Sequence, residues 1–232
     1  LMEACVKSGI PHFIFSSTAA VYGNPKVNPV FENNEHAPIS PYGSSKLMTE
    51  WMLRDTATAH DGFDYVALRY FNVAGADPKG RTGQSTPQAT HLIKVACQTA
   101  LGQRDHMQVF GRDYDTPDGT CIRDYIHVSD LVAAHVDALA YLRGGGESDV
   151  FNCGYGTGYS VLDVIGAVER AFGGPFNVVD APRRAGDPPA IVAGAERVRS
   201  VLGWMPRHEA LNGIVQSALD WERHLERRND AA

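Results

Sequence analysis

The chain has 232 residues, of which 44% are hydrophobic and 21% are charged, as in an ordinary globular protein with a sizeable core. The formal net charge of −6 and the even spread of the 21 basic residues argue against a nucleic-acid partner or a membrane-surface partner. The four cysteines form no C-x-x-C pair, which predicts reduced thiols and a cytoplasmic protein, with two disulfides as the alternative.

The first residues predict the last turns of a helix that Gly9 ends, followed at once by a strand. Natural domains seldom begin inside a helix–strand unit. We therefore expect the sequence to be truncated at its N-terminus.

The next three elements predict the fold class. The apolar run His12–Phe15 suits a strand that is buried on both faces, and Tyr65–Gly75 is a second one. Between them, Tyr42–Ala59 is predicted as a helix that starts after Pro41. Strand, helix and strand in this order indicate a doubly wound α/β fold.

The rest of the chain alternates in the same way. Loops are predicted at Asp77–Pro87 and over the long polar stretch GRDYDTPDGTCIRDYIH, whose length indicates a functional segment. The predicted helices are His91–Leu101, Val128–Leu142, Val161–Phe172, Ala195–Leu202 and Glu209–Arg227, and the predicted strands are Gln108–Phe110, Val150–Cys153 and Ile191–Ala193.

The glycines Gly154, Gly156 and Gly158 resemble a dinucleotide fingerprint, but Tyr159 occupies the position of its last glycine. Ser160 then has the character of a helix N-cap. This stretch is predicted to be a structural turn.

Hydroxyl groups follow the first strand, where ligands of open α/β sheets bind. Ser16, Ser17 and Thr18 lie there, and Tyr42 precedes Lys46 by four residues on the following helix. A phenol and an ammonium group one turn apart can serve one reacting group, because the positive charge favours the phenolate that acts as a base. The order of these features predicts an acid–base site, with local hydrogen bonding of the hydroxyls as the alternative.

Five stretches together resemble the UDP-glucose 4-epimerases of the extended short-chain dehydrogenase/reductase family: FSSTAAVYG, SPYGSSKLMTE, LRYFNVAGAD, VFGRDYDTPDGTCIRDYIHVSDL and APRRAGDPPA. The resemblance implies the C-terminal part of a doubly wound, Rossmann-type parallel sheet and a smaller α/β substrate-binding domain. It also implies bound NAD and a galactose-metabolism enzyme that interconverts UDP-glucose and UDP-galactose through a transient 4-keto sugar.

The same resemblance assigns roles to individual residues. Tyr42 would be the base, Lys46 would tune it and anchor a ribose, and Thr18 would bind the 4-oxygen of the sugar. Cofactor contacts are implied for Ser16, Ser17, Tyr42, Lys46 and Phe71. Substrate contacts are implied for Thr18, Asn72, His91, Leu92, Phe110, Arg123, Arg184, Asp187 and Ile191. No metal site is implied.

Three positions bear on the match with the family's pattern. Thr18 stands where some relatives have serine, a change that keeps the hydroxyl. His91 stands where asparagine is expected. Ile191 stands where residue size controls access of N-acetylhexosamines, and its intermediate size leaves that question open. The alternatives are an epimerase of UDP-xylose and UDP-arabinose or of UDP-N-acetylhexosamines and, if the truncation is natural, a non-catalytic nucleotide-sugar-binding protein. A 4,6-dehydratase is disfavoured because Ala19 and Ala20, rather than an acid, follow Thr18.

The resemblance divides the chain into residues 1–75, the remainder of an NAD-binding domain, and residues 76–232, mainly a UDP-sugar-binding domain. Segments near 125–155 are expected to return to the first part. No glycine-rich βα turn precedes Ser16. We therefore expect this chain alone to bind NAD poorly and to be inactive. The resemblance implies that the full-length protein forms a homodimer.

Overall fold

The computed structural model describes residues 1–86 and 88–230, so that Pro87, the last residue of one predicted loop, lies outside the described part. In chain order the elements are α1 (Met2–Lys7), β1 (His12–Thr18), a 3₁₀ turn (Ala19–Tyr22), α2 (Pro41–Ala59), β2 (Asp64–Tyr70), β3 (Asn72–Ala74), α3 (Leu92–Ala100), β4 (Met107–Phe110), β5 (Ile122–His127), α4 (Val128–Arg143), β6 (Asp149–Cys153), β7 (Gly158–Ser160), α5 (Val161–Phe172), β8 (Val178–Ala181), β9 (Ala190–Ile191), α6 (Glu196–Leu202) and α7 (Leu211–Asp230).

These elements belong to two compact units that interleave along the chain. Unit 1 comprises Leu1–Phe71, Leu131–Gly156 and Ile191–Pro206, and unit 2 comprises the described residues of 72–130, 157–190 and 207–230. The return of residues 191–206 to unit 1 was not among the sequence-based expectations. None of the described helices combines the length and the apolar character needed to cross a membrane.

Unit 1 is built on a parallel sheet in the order β1-β2-β6. The register pairs Thr18 with Tyr70, and Tyr70 with Cys153, so the carboxyl ends of the three strands lie side by side. This arrangement confirms the α/β fold with parallel strands. It also places the residues that follow each strand at one edge of the sheet.

Helix α2 packs against β1 and β2 of this sheet. It begins where the sequence predicts, because the Ser40 side chain accepts a hydrogen bond from the Gly43 N–H (3.1 Å) and Pro41 occupies the first turn. Leu47 and Leu53 on its inner side are buried, and this burial holds the helix on the sheet.

Unit 2 contains β3 and β5 as a parallel pair, β5 and β7 as an antiparallel pair, and β4 and β8 as a separate parallel pair. Helices α3, α5 and α7 pack against one another. Ser160 caps α5 in a capping box with Asp163, and Gly156 adopts a φ of 79°. The prediction of a structural turn with an N-cap at Ser160 is confirmed.

Three sequence-based assignments were wrong in part. The predicted loop Gly111–His127 ends in strand β5, in which Arg123 and Asp124 pair with β7 and residues 125–127 pair with β3. The predicted strand Tyr65–Gly75 is divided at Phe71 into β2 and β3, which belong to different sheets and different units. Strands β7 and β8 were not predicted, since three or four residues show too little periodicity.

Candidate active site

Three predicted catalytic residues lie in unit 1 near the carboxyl ends of its strands. Thr18 is the last residue of β1 and is buried, and its Oγ1 accepts a hydrogen bond from the Ala20 N–H (3.2 Å). Tyr42 lies in the first turn of α2 with half of its surface exposed. Lys46, one turn later, donates through Nζ to the carbonyl oxygen of Ser16 (2.9 Å).

The ammonium group of Lys46 lies close to two aromatic rings. Its Nζ is 5.7 Å from the ring centroid of Tyr42 and 5.0 Å from that of Phe15. Burial, together with the charge of Tyr42 and a hydrogen bond to it, raises the pKa of Tyr70, the partner of Thr18 in the sheet register. Tyr42 therefore has the ammonium group of Lys46 and the phenol of Tyr70 as neighbours.

The other predicted cofactor residues of unit 1 have their side chains directed elsewhere. The Ser16 hydroxyl is hydrogen-bonded to Nε2 of His135 (2.8 Å), and the buried Ser17 hydroxyl donates to the carboxylate of Glu50. Phe71 is buried. Neither serine hydroxyl is free for a cofactor, so a contact from these two residues would have to come from the backbone.

Unit 2 contains an open pocket with a volume of about 660 Å³. Seven of the predicted substrate residues line it: Asn72, His91, Leu92, Phe110, Arg123, Arg184 and Asp187. The structure brings these residues together from four separate stretches of sequence. Their role in binding stays a prediction.

Three arginines contribute positive charge to this pocket. The guanidinium of Arg184 lies 3.7 Å from the ring centroid of Phe110, and Arg123 donates through Nη2 to Asp187 (3.4 Å). A third arginine, Arg104, also lines the pocket. Arginine is suited to pyrophosphate because its planar guanidinium can donate two parallel hydrogen bonds.

His91 precedes α3 at the rim of the pocket. The side-chain amide of Gln84 donates to its Nδ1 (2.8 Å), a contact that assigns the ring proton to Nε2. The imidazole at this position thus presents an N–H donor, as the expected asparagine would.

Ile191 is not part of this pocket. It is buried at the end of β9 and belongs to unit 1. Conversely, the sequence analysis missed Tyr125 and Arg104, which do line the pocket. Tyr125 could have been found, since it lies two residues after Arg123 on one strand and therefore on the same face. Arg104, in the turn after α3, carries no such signal.

Within the described residues, no cluster of three or more His, Cys, Asp or Glu side chains could hold a metal ion. The four cysteines are buried and form no disulfide with one another.

Comparison with known proteins identifies the family. Residues 1–154 match the sequence profile of the NAD dependent epimerase/dehydratase family. The chain belongs to the NAD dependent epimerase/dehydratase family. This family relationship agrees with the parallel sheet and with the Tyr-x-x-x-Lys helix of unit 1.

Curated and solved relatives within the family extend over nearly the whole chain. A UDP-glucose 4-epimerase of Azospirillum brasilense is 62% identical over 226 residues, which are 97% of this chain and 65% of the relative. The UDP-Glc/GlcNAc 4-epimerase of Campylobacter jejuni is 51% identical with a TM-score of 0.81, and covers 96% of this chain and 68% of its own. The UDP-glucose 4-epimerase of Bifidobacterium longum in complex with NAD+ and UDP is 40% identical with a TM-score of 0.90. The match covers 97% of this chain and 67% of that relative. The chain thus spans about two thirds of the length of these relatives.

Proposed function

We propose that this protein is an NAD-dependent epimerase that interconverts UDP-glucose and UDP-galactose by inverting C4 of the sugar. The observation that carries the proposal is the arrangement of Thr18, Tyr42 and Lys46 at the carboxyl end of the parallel sheet of unit 1. The arginine-lined pocket of unit 2 supports a nucleoside diphosphate as the other part of the substrate.

The residues of unit 1 fit the nicotinamide side of the cofactor. Lys46 uses one of its N–H donors on Ser16, which leaves two for the hydroxyl groups of a ribose. Tyr42 is exposed enough to contact both a cofactor and a sugar. When bound, NAD would supply the two-electron oxidant that removes hydrogen from C4 and returns it, so that no net oxidation results.

The side chains of this chain carry out the proton transfers. The phenolate of Tyr42, stabilised by Lys46, would take the proton of the 4-hydroxyl as its O–H bond breaks, and would return that proton after the sugar has turned over. Thr18 accepts a hydrogen bond from Ala20, so its own O–H remains available to donate to the 4-oxygen. In unit 2, the arginines would hold the diphosphate while the sugar turns.

Replacing Tyr42 tests the proposal. Tyr42→Phe removes the proposed base and should lower kcat for UDP-galactose by about a thousandfold, because phenylalanine cannot accept the proton of the 4-hydroxyl. Binding of UDP should change less than about threefold. The assay uses the full chain encoded by its own gene with NAD, and isothermal calorimetry measures UDP binding.

Tyr141→Phe is the matched control, since it removes a phenol on α4 whose ring packs edge-on against Phe151. It should leave kcat unchanged. Near-wild-type turnover by Tyr42→Phe would remove Tyr42 from its role. A wild-type protein that binds UDP-sugars but turns none over would favour the non-catalytic alternative.

A second candidate function is epimerisation of UDP-N-acetylhexosamines. The 51% identical relative from Campylobacter jejuni is described as a UDP-Glc/GlcNAc 4-epimerase, and Ile191 of this chain is smaller than an aromatic residue. A panel of UDP-glucose, UDP-N-acetylglucosamine and UDP-xylose, compared by kcat/KM, separates the candidates. Ile191→Tyr should lower kcat/KM for the N-acetylated sugar selectively if Ile191 borders the sugar.

We further propose a cytoplasmic homodimer. The four buried cysteines form no disulfide, which is consistent with a reducing compartment. The exposed side chains of Met48, Trp51 and Met52 on α2 offer an apolar surface that a second copy would cover. Sedimentation velocity tests this dimer. The full wild-type chain should sediment as a dimer, and its Trp51→Glu variant as a monomer.

A further inference from the structure

A buried ion pair lies in unit 1 between α2 and β2. Glu50 and Arg69 have side chains that are 4% and 3% exposed. The guanidinium binds the carboxylate in a bidentate manner, with Nε 3.0 Å from Oε1 and Nη2 2.6 Å from Oε2. Such a pair is directional, because both parallel hydrogen bonds lengthen together when the helix slides along the strand.

The pair is also joined to the first strand. The Ser17 hydroxyl donates to Oε1 of Glu50, and Ser17 lies opposite Arg69 in the register of β1 and β2. Glu50 therefore contacts both strands. These contacts fix the position of α2 along the direction of the strands as well as its distance from the sheet.

Each member of this group neighbours a residue of the candidate active site. Ser17 precedes Thr18, and Glu50 follows Lys46 by one turn of α2 and Tyr42 by two. Arg69 precedes Tyr70, which contacts Tyr42. A displacement of the ion pair would therefore also displace Thr18, Tyr42 and Lys46.

The guanidinium nitrogen of Arg69 that does not bind Glu50 is also hydrogen-bonded. Its Nη1 donates to the Tyr22 hydroxyl (3.0 Å) and to the Glu32 carbonyl oxygen (3.1 Å). Burial raises the pKa of Tyr22 to about 12, so this phenol stays protonated and donates to Oδ1 of Asn152 on β6 (2.6 Å). The network thus extends from α2 across the three strands of the sheet.

Stability alone does not account for such a network. A buried ion pair is often no more stabilising than apolar side chains of the same volume, because both charges must lose their water. Its distinctive property is the fixed geometry of its hydrogen bonds.

We propose that Glu50 is a positioning residue that, through Ser17 and Arg69, sets the register of α2 so that Tyr42 and Lys46 lie correctly against Thr18. This inference rests on the proposed epimerase function. The Glu50 side chain is only 4% exposed, so its proposed role is exerted through Ser17 and Arg69.

The test compares Glu50→Gln and Ser17→Ala in the full chain with NAD. Glu50→Gln should lower kcat for UDP-galactose by about tenfold or more, because small displacements of catalytic groups cost large factors in rate. KM should stay within about twofold, since the pocket of unit 2 is untouched. Ser17→Ala, which buries no unpaired charge, should lower kcat by about threefold or more with the same unchanged KM.

Glu222→Gln is the matched control. Glu222 forms an ion pair with Lys94 in unit 2, and each side chain is 5% exposed. Its replacement should lower the Tm as Glu50→Gln does, yet leave kcat within about twofold. Unchanged kcat in Ser17→Ala, or an equal loss of kcat in Glu222→Gln, would overturn the positioning role.

Crystal structures of the variants separate this inference from the proposed function. In Ser17→Ala the distance from Lys46 Nζ to the Ser16 carbonyl, 2.9 Å in the native chain, should lengthen beyond hydrogen-bonding range. This readout needs no turnover. If the wild type is inactive, the proposed function fails, and an unchanged Lys46–Ser16 distance would then overturn the positioning role as well. If Glu50→Gln does not fold, Ser17→Ala decides.

Discussion

At the scale of the single residue, His127 shows how burial controls protonation. This last residue of β5 is only 1% exposed, and its ring lies 4.4 Å from that of His208. The Ser129 N–H donates to its Nδ1 (3.0 Å), so the ring proton is on Nε2, which faces Ser217. Burial, and then the charge of His208, lower the pKa of His127 to about 4 against the opposing effect of Asp130 and Asp77.

Acid should therefore destabilise unit 2 through His127. A histidine whose pKa is lowered by folding contributes stability above its unfolded pKa of about 6.5, and this contribution is lost as the pH falls toward the folded value. Within that window the free energy of unfolding should fall by up to about 1.4 kcal/mol per pH unit. Urea unfolding at pH 7.5, 6 and 5 measures this slope.

His127→Gln should flatten that slope between pH 6.5 and pH 4, even if it lowers stability at pH 7.5. His60→Gln at the exposed end of α2 is the control and should leave the slope unchanged. If His127→Gln keeps the wild-type slope, other groups control the acid sensitivity.

At the scale of the element, the start of α2 depends on one glycine. A Cβ added at Gly43 would lie 2.6 Å from the carbonyl oxygen of Ala20, a backbone atom that cannot rotate away. Gly43→Ala should therefore displace the first turn of α2, which carries Tyr42. We expect a loss of about 1–3 kcal/mol in the free energy of unfolding and a fall in kcat of about tenfold or more.

Gly213→Ala on α7 is the control. No atom lies within 4 Å of its added Cβ, so alanine's higher helix propensity should raise stability by up to about 1 kcal/mol and leave kcat unchanged. Denaturant unfolding and steady-state kinetics on both variants provide the comparison. Wild-type kcat in Gly43→Ala would show that α2 can absorb the displacement.

The elements also show what a sequence can and cannot predict. Helices α2 and α5 were predicted to within one residue at each end, because caps and apolar spacing are local signals. Strand β5 was not, because its polar residues are accommodated by strands β3 and β7, partners distant in sequence. The division between β2 and β3 could not be predicted either, because the passage of the chain from unit 1 to unit 2 has no local sequence signal.

The candidate site divides in a similar way. Seven residues of the unit 2 pocket were named from the sequence, and five of them lie in motifs that resemble a family. The partner of Ser17 could not, because Glu50 lies 33 residues away and only the packing of α2 on β1 brings the two together. For this reason the sequence analysis assigned Ser17 to the cofactor, whereas in the structure its hydroxyl donates to the buried carboxylate of Glu50.

At the scale of the whole molecule, the two units are each assembled from separate stretches of chain, and their candidate roles differ. The groups with acid–base chemistry belong to unit 1, whereas the arginine-lined pocket belongs to unit 2. Variants of the two units should therefore affect different kinetic constants: kcat for unit 1, and substrate affinity for unit 2.

Arg184→Ala tests this division from the side of unit 2. The change removes a stacking partner of Phe110 that is also the proposed donor to phosphate, so the Kd for UDP should rise about 10–100-fold. At saturating UDP-galactose, kcat should stay within about threefold of the wild type, because Tyr42 and Lys46 are unchanged. Isothermal calorimetry with UDP and steady-state kinetics measure the two effects.

Arg183→Ala is a closely matched control for this experiment. Arg183 also stacks on an aromatic ring, that of Tyr114 at 4.2 Å, and pairs with Asp113, but it does not line the pocket. Its replacement should leave the Kd for UDP within about twofold. Equal losses of affinity in the two variants would mean that general positive charge, rather than the Arg184–Phe110 contact, attracts the nucleotide. A fall of kcat in Arg184→Ala as large as in Tyr42→Phe would mean that binding and chemistry are not divided between the units.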